Sequence, residues 1–251
     1  MESINADLYT SCFCEENIWN FSRWIKELSG LHLSNEEVEV EITLRHQLTR
    51  LFHVNLNGSS HFYSSLDLND MFVIFISNKE KKVPIWNQKN GPEDSRVAIW
   101  DYHVVALKKV QRQTIPTSSV RTTETIAARY TCSTNFADND SLIFDFDSNL
   151  PFPSSAISYI EQCFLPATKY PTEYHPTFRI ISAVDYLSVF ASDRSHMLIE
   201  GEDVYITTPP KYASIRTDKS AMNLPDFISM ESNWIPSQLK TLHELIEWIQ
   251  T

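Results

Sequence analysis

Cys14 stands in the string SCFCEENIW (11–19), directly ahead of two glutamates, and the ionised form of a cysteine is a strong nucleophile. Ile18, Phe21, Ile25 and Leu28 recur at the three-and-four spacing of an amphipathic helix, so the string opens a helix with one apolar face turned inward. Ser11 is a candidate N-cap, which puts Cys14 in the first turn, where free main-chain N–H groups and the positive end of the dipole favour thiolate. Glu15 and Glu16 suit a helix start but oppose that effect. A nucleophile at Cys14 therefore needs a base from elsewhere in the chain.

His103 is the candidate base. It lies in VAIWDYHVVALKKV (97–110), the strongest strand pattern in the sequence. A period of two puts Asp101, His103, Val105 and Leu107 on one face and Trp100, Tyr102 and Val104 on the other. A satisfied core histidine beside a strand-end carboxylate is the commoner source of such a pattern. SLIFDFD (141–147) also alternates, with Leu142, Phe144 and Phe146 on one face and Ile143, Asp145 and Asp147 on the other. Those two carboxylates could be solvated edge charges, metal ligands or partners for an imidazole.

The elements that must position these side chains follow from the remaining pattern. MFVIFISN (71–78) reads as a buried strand and VPIW (83–86) as an extended piece in which Pro84 points to an edge or a strand start. Helices are expected at 156–165, at 184–191 with Ser182 as N-cap, and from Ser237 to the C-terminus, where Leu239, Leu242, Ile246 and Ile249 keep helical spacing. FRIIS (178–182) is a further strand. Residues 31–66 show no clean period, though NEEVEVEI (35–42) and RHQLTRLFHVNL (45–56) could form short helices or strands, and 111–140 are rich in Thr, Ser, Gln and Asn; both stretches are expected as loop insertions on the surface. The outline is one α+β domain over 1–251, built on a mainly antiparallel sheet flanked by helices, without repeats.

Composition narrows the function. With 4 glycines in 251 residues, and neither GxGxxG nor GxxxxGK[ST], no phosphate-cradling loop can be assembled. The formal charge of −11 repels nucleic acid and anionic membranes. The 4 cysteines, with no CxxC or HxxxH pair, make neither a disulfide framework nor a zinc site. No apolar run approaches the roughly 18 residues of a spanning helix, and MESINADLY lacks a signal-peptide core, so a cytoplasmic protein with access to the nucleus is expected.

Helix cysteine, strand histidine, strand aspartate is the order used by papain-like and transglutaminase-like thiol hydrolases. SCFCEENIW (11–19), VIFISN (73–78), VPIW (83–86), IWDYHVV (99–105), FDFDSNLPFP (144–153), YLSVFASDRSHM (186–197) and MNLPDFISM (222–230) together closely resemble the eukaryotic protein N-terminal glutamine amidohydrolase family, in family order across residues 11–230. The resemblance implies a papain/transglutaminase-like core and an enzyme that converts N-terminal glutamine to glutamate with release of ammonia, feeding arginylation in the N-degron pathway. It implies Cys14 as nucleophile, His103 as base and Asp145 as the partner of the imidazole, with no metal and no cofactor. The expected partners are proteins or peptides with a free N-terminal glutamine, met by a monomer. Asp101, about 6–7 Å along the strand from His103, is the candidate acceptor for the substrate's α-ammonium. Two rival classes remain: another Cys-His-Asp thiol hydrolase or transamidase, and an inactive module that binds N-terminal glutamine.

Overall fold

The computed structural model describes residues 8–29, 37–52, 66–110 and 140–251. Strand β1 (Met71–Ser77) is apolar at nearly every position because both of its faces are covered. Val73 and Phe75 enter one core, and Ile74 and Ile76 enter the other. Around β1 lie β4 (His103–Lys108), β5 (Leu142–Phe144), β6 (Ser154–Ser155), β7 (Thr177–Ser182) and β8 (Ser237–Thr241), in the order β6-β5-β4-β1-β7-β8, every pairing antiparallel. Two short strands, β2 (Val83–Ile85) and β3 (Ala98–Trp100), form a separate ribbon beside it. The expected α+β architecture, a mainly antiparallel sheet flanked by helices, is therefore present.

Helix α1 (Cys14–Ser29) lays Ile18, Phe21 and Ile25 against Val104 and Ala106 of β4. Helices α2 (Glu37–Phe52), α4 (Ala183–Val189) and α5 (Leu224–Ile228) cover the same face. On the opposite face, α3 (Ala156–Cys163) and α6 (Leu242–Gln250) pack Tyr159, Ile160, Leu245 and Ile249 against Val105, Leu107, Ile74 and Ile76. Each fully buried aliphatic or aromatic side chain contributes about 1.5–3 kcal/mol relative to exposure.

Several expectations need correction. The long strand at 97–110 is two strands: the chain bends at Asp101 and Tyr102, and the carboxylate of Asp101 accepts from the main-chain N–H of Tyr102. The 141–147 strand ends at Phe144, so Asp145 and Asp147 lie just past it. Ser237 does not begin the last helix; residues 237–241 pair with β7, and α6 starts after Thr241 through a capping box with Glu244. Ser11 lies two residues ahead of Phe13, whose carbonyl already accepts from Asn17, and α1 starts at Cys14. Residues 31–66 are not a surface loop throughout, because α2 buries Leu44, Leu48 and Leu51 in the α1-side core. Of the 111–140 insertion, residues 111–139 lie outside the described residues. Ser182 does cap α4, accepting from the N–H of Asp185.

Candidate active site

Cys14 is the first residue of α1, and the loop ahead of it is latched by Asn17, whose side chain bonds both the N–H and the carbonyl of Thr10 at 2.8 Å. The thiol is buried. Burial pushes it well above the ordinary thiol range, the charges of Glu15, Asp147 and Asp101 push the same way, and a hydrogen bond from the main chain of Val104 pulls it back. Cys14 therefore rests as a thiol, its Sγ 3.7 Å from Oε2 of Glu15 and against the residue that follows His103. The helix end alone does not activate it.

His103 opens β4, opposite Ile76 of β1, and is completely buried. Its ring stacks on Trp100 with centroids 5.1 Å apart, and its Nε2 lies 2.9 Å from Oδ1 of Asp145. An ionised carboxylate only accepts, so Nε2 donates to it, and in the neutral ring Nδ1 keeps a lone pair. Nδ1 has no hydrogen-bond partner among the described residues. Burial works against charge on the imidazole, but Asp145, together with the charges of Asp147 and Glu15, outweighs it and the group titrates above its ordinary value.

Asp145 receives four hydrogen bonds: from His103 Nε2 and the N–H of Asp147 on Oδ1, and from Gln88 Nε2 at 3.1 Å and the Tyr159 hydroxyl at 2.7 Å on Oδ2. Burial opposes its ionisation, yet the imidazole and these donors hold it down to about 2. The placement past β5 comes from the turn at 86–91, which clasps this segment: the N–H of Lys89 donates to Asp147 O, and Gln88 bridges to Ser148. Asp147 differs. Its carboxyl takes the Tyr9 hydroxyl at 2.8 Å and is pushed up by burial and by Asp145.

His103, Asp145 and Asp147 bring ligand atoms within 4.8 Å of one another, the spacing a cation would need. Both oxygens of Asp145 are already engaged by hydrogen-bond donors, so the cluster matches a carboxylate–imidazole relay better than a metal seat.

Asp101 is not placed as expected. With the strand broken at 101–102, it does not share a β-face with His103; it is exposed, and its carbonyl accepts from Ser77. Groups that the motif reading passed over sit closer in. Glu16 is buried in a two-pronged pair with Arg194, both contacts 2.8 Å, while Glu15 meets the Tyr102 hydroxyl at 3.0 Å and Nε2 of His196 at 3.4 Å. Arg194 and His196 come from the string FASDRSHM (190–197). The signal for them was present: two adjacent glutamates in the first turn of an inward-facing helix need basic partners.

The family described as N-terminal glutamine amidase matches the chain over residues 9–249. A protein from Bos taurus named protein N-terminal glutamine amidohydrolase is 33% identical over 227 residues, 90% of this chain and 79% of its own. Proteins of the same name from Homo sapiens and Danio rerio are each 32% identical over 227 residues, covering 90% of this chain and 80% and 81% of theirs. A match that takes in Cys14, His103 and Asp145 together, and nearly every described element, shows that the chain belongs to the N-terminal glutamine amidase family.

Proposed function

We propose that this protein hydrolyses the side-chain amide of glutamine at the N-terminus of proteins and peptides, releasing ammonia and leaving glutamate. The observation that carries this reading is the buried pair of His103 and Asp145: Nε2 lies 2.9 Å from Oδ1 of Asp145, and Nδ1 has no hydrogen-bond partner among the described residues, so the neutral ring offers a lone pair there. Family membership and the shared name of the relatives support the substrate.

In this mechanism the Cys14 thiol gives its proton to Nδ1 of His103 as Sγ attacks the side-chain carbonyl carbon of the glutamine. Asp145 stabilises the imidazolium and holds the ring in place. The oxyanion forms beside the main-chain N–H of Cys14, which has no intrahelical partner because it lies in the first turn. The imidazolium then protonates the leaving nitrogen, ammonia departs, and a glutamyl thioester remains on Cys14. Water gives a proton to Nδ1 and attacks the thioester carbonyl. The C–S bond breaks, glutamate leaves, and Sγ regains the proton from His103. Three side chains and water complete every step. The proposal extends to a papain/transglutaminase-like core, to action by one catalytic domain as a monomer in cytoplasm and nucleus, and to a glutamate product that serves arginyl transfer in the N-degron pathway.

The test is ammonia release from peptides that begin with glutamine, asparagine and acetyl-glutamine. Turnover is expected for the first alone, since asparagine carries its amide one methylene short of the thiol. Cleavage of the peptide bond or incorporation of an added amine would identify a different thiol hydrolase. Binding without turnover, with Cys14 inert to iodoacetamide, would identify a binding module.

A further inference from the structure

Glu15 follows the proposed nucleophile directly, and its carboxylate is fully buried. Oε2 accepts from the Tyr102 hydroxyl at 3.0 Å and lies 3.7 Å from Sγ of Cys14. Oε1 has no hydrogen bond among the described residues. The only basic side chain paired with it there is His196, whose Nε2 approaches to 3.4 Å and whose side chain is 20% exposed. The neighbouring Glu16 is matched in full, with both oxygens held by Arg194. A buried carboxylate is costly unless paired. This helix start thus holds one carboxylate with a complete cationic partner and one whose Oε1 meets, among the described residues, only an imidazole.

We propose, resting on the glutamine-amidase reading, that Oε1 of Glu15 accepts the α-ammonium of the substrate and so distinguishes an N-terminal glutamine from an internal one. In extended glutamine the α-nitrogen and the side-chain carbonyl carbon are four bonds apart, about 4–5 Å. A carbon poised for attack stands about 3–3.5 Å from sulfur, and an ammonium about 2.8 Å from its carboxylate. Oε2 lies 3.7 Å from Sγ, and Oε1, on the same carboxylate, is the oxygen left to close that ring. Shortening the side chain by one methylene, as in asparagine, opens it. His196 stands where the ammonium docks and moves outward, toward the solvent it already meets. Asp101 is a weaker acceptor, because it is exposed and already bonded to the Tyr102 N–H.

The same contact ties recognition to reactivity. Glu15 is one of the charges that keep the Cys14 thiol protonated. An ammonium on Oε1 cancels that charge, so a substrate with a free amine eases ionisation of the sulfur that attacks it, and an acetylated one does not.

Glu15→Gln keeps the shape and removes the charge. Its kcat/KM for glutamine-initiated peptides should fall about 30-fold or more, and the preference for free over acetylated peptides should shrink about tenfold or more. Alkylation of Cys14 by iodoacetamide, read on the Cys14 peptide by mass spectrometry, should become faster. Glu15→Asp, which keeps the charge but withdraws it by one methylene, should keep more of the preference than Glu15→Gln. Loss of turnover with the preference intact, slower alkylation, or identical behaviour of the two variants would overturn the proposal. A structure of the Cys14→Ala protein with a glutamine-initiated peptide tests it without changing Glu15: the α-nitrogen should lie within hydrogen-bonding distance of Oε1, and a nitrogen on Asp101, Asp147 or a main-chain carbonyl would refute it. Absence of ammonia release by the wild type would instead refute the amidase reading itself.

Discussion

Burial alone would strip His103 of its proton, because an imidazolium loses its hydration in the interior. Asp145, at 2.9 Å and with its own charge secured by four donors, reverses the sign with help from Asp147 and Glu15, so the imidazole titrates above its ordinary value near 6.5. Only the neutral ring can take the thiol proton. The kcat/KM of the wild type should therefore fall as pH drops through a value above 6.5. Asp145→Asn removes the charge that favours imidazolium, so this acid limb should move to lower pH, and the plateau should fall about 10³–10⁴-fold as the tautomer is lost. A pH–rate profile on both proteins checks this; an unmoved limb would mean that Asp145 does not govern the base. The three side chains proposed to do the chemistry, Cys14, His103 and Asp145, were singled out from residue type and motif. Gln88 and Tyr159, which keep Asp145 ionised, were not, since a turn and a helix from other parts of the chain carry them to it.

At the scale of elements, β1, β7 and α4 were readable because a continuous apolar run or a capped amphipathic turn has one dominant interpretation. The 97–110 stretch misled because its alternation runs through Asp101 and Tyr102, where a side-chain bond to the main chain turns the strand. Helix α2 was hidden by conflicting periods. EVEVEI (37–42) alternates as a strand would, whereas Leu44, Leu48 and Leu51 keep helical spacing, and packing against α1 decides the outcome. Those leucines lie in the α1-side core, and the main-chain carbonyl of Leu51 accepts from the N–H groups of Leu8 and Tyr9. Leu48→Ala should therefore cost about 2–5 kcal/mol of stability, measured by urea unfolding. A loss below about 0.5 kcal/mol would make α2 peripheral to the fold.

Across the whole molecule, the site is gathered from segments far apart in sequence: the start of α1, the start of β4, the turn after β5 and the 190–197 string. Arg194 reaches back 178 residues to Glu16, and the Tyr186 hydroxyl binds the main-chain carbonyl of Glu15. The motif strings made these segments visible one at a time, while their meeting depends on sheet order, which no local pattern encodes. The arrangement also separates the two neighbouring cysteines. Cys14 lies on the helix, against β4, whereas Cys12 lies in the preceding turn with a left-handed φ of 67°, beside the Ser11 hydroxyl. The most direct test is ammonia release from a glutamine-initiated peptide by the wild type, Cys14→Ala and Cys12→Ala, with folding checked by circular dichroism. Cys14→Ala should stay folded and release no ammonia above background, and Cys12→Ala should keep most of the wild-type rate. Retained turnover in folded Cys14→Ala, or equal losses in both variants, would contradict the assignment of Cys14 as the nucleophile.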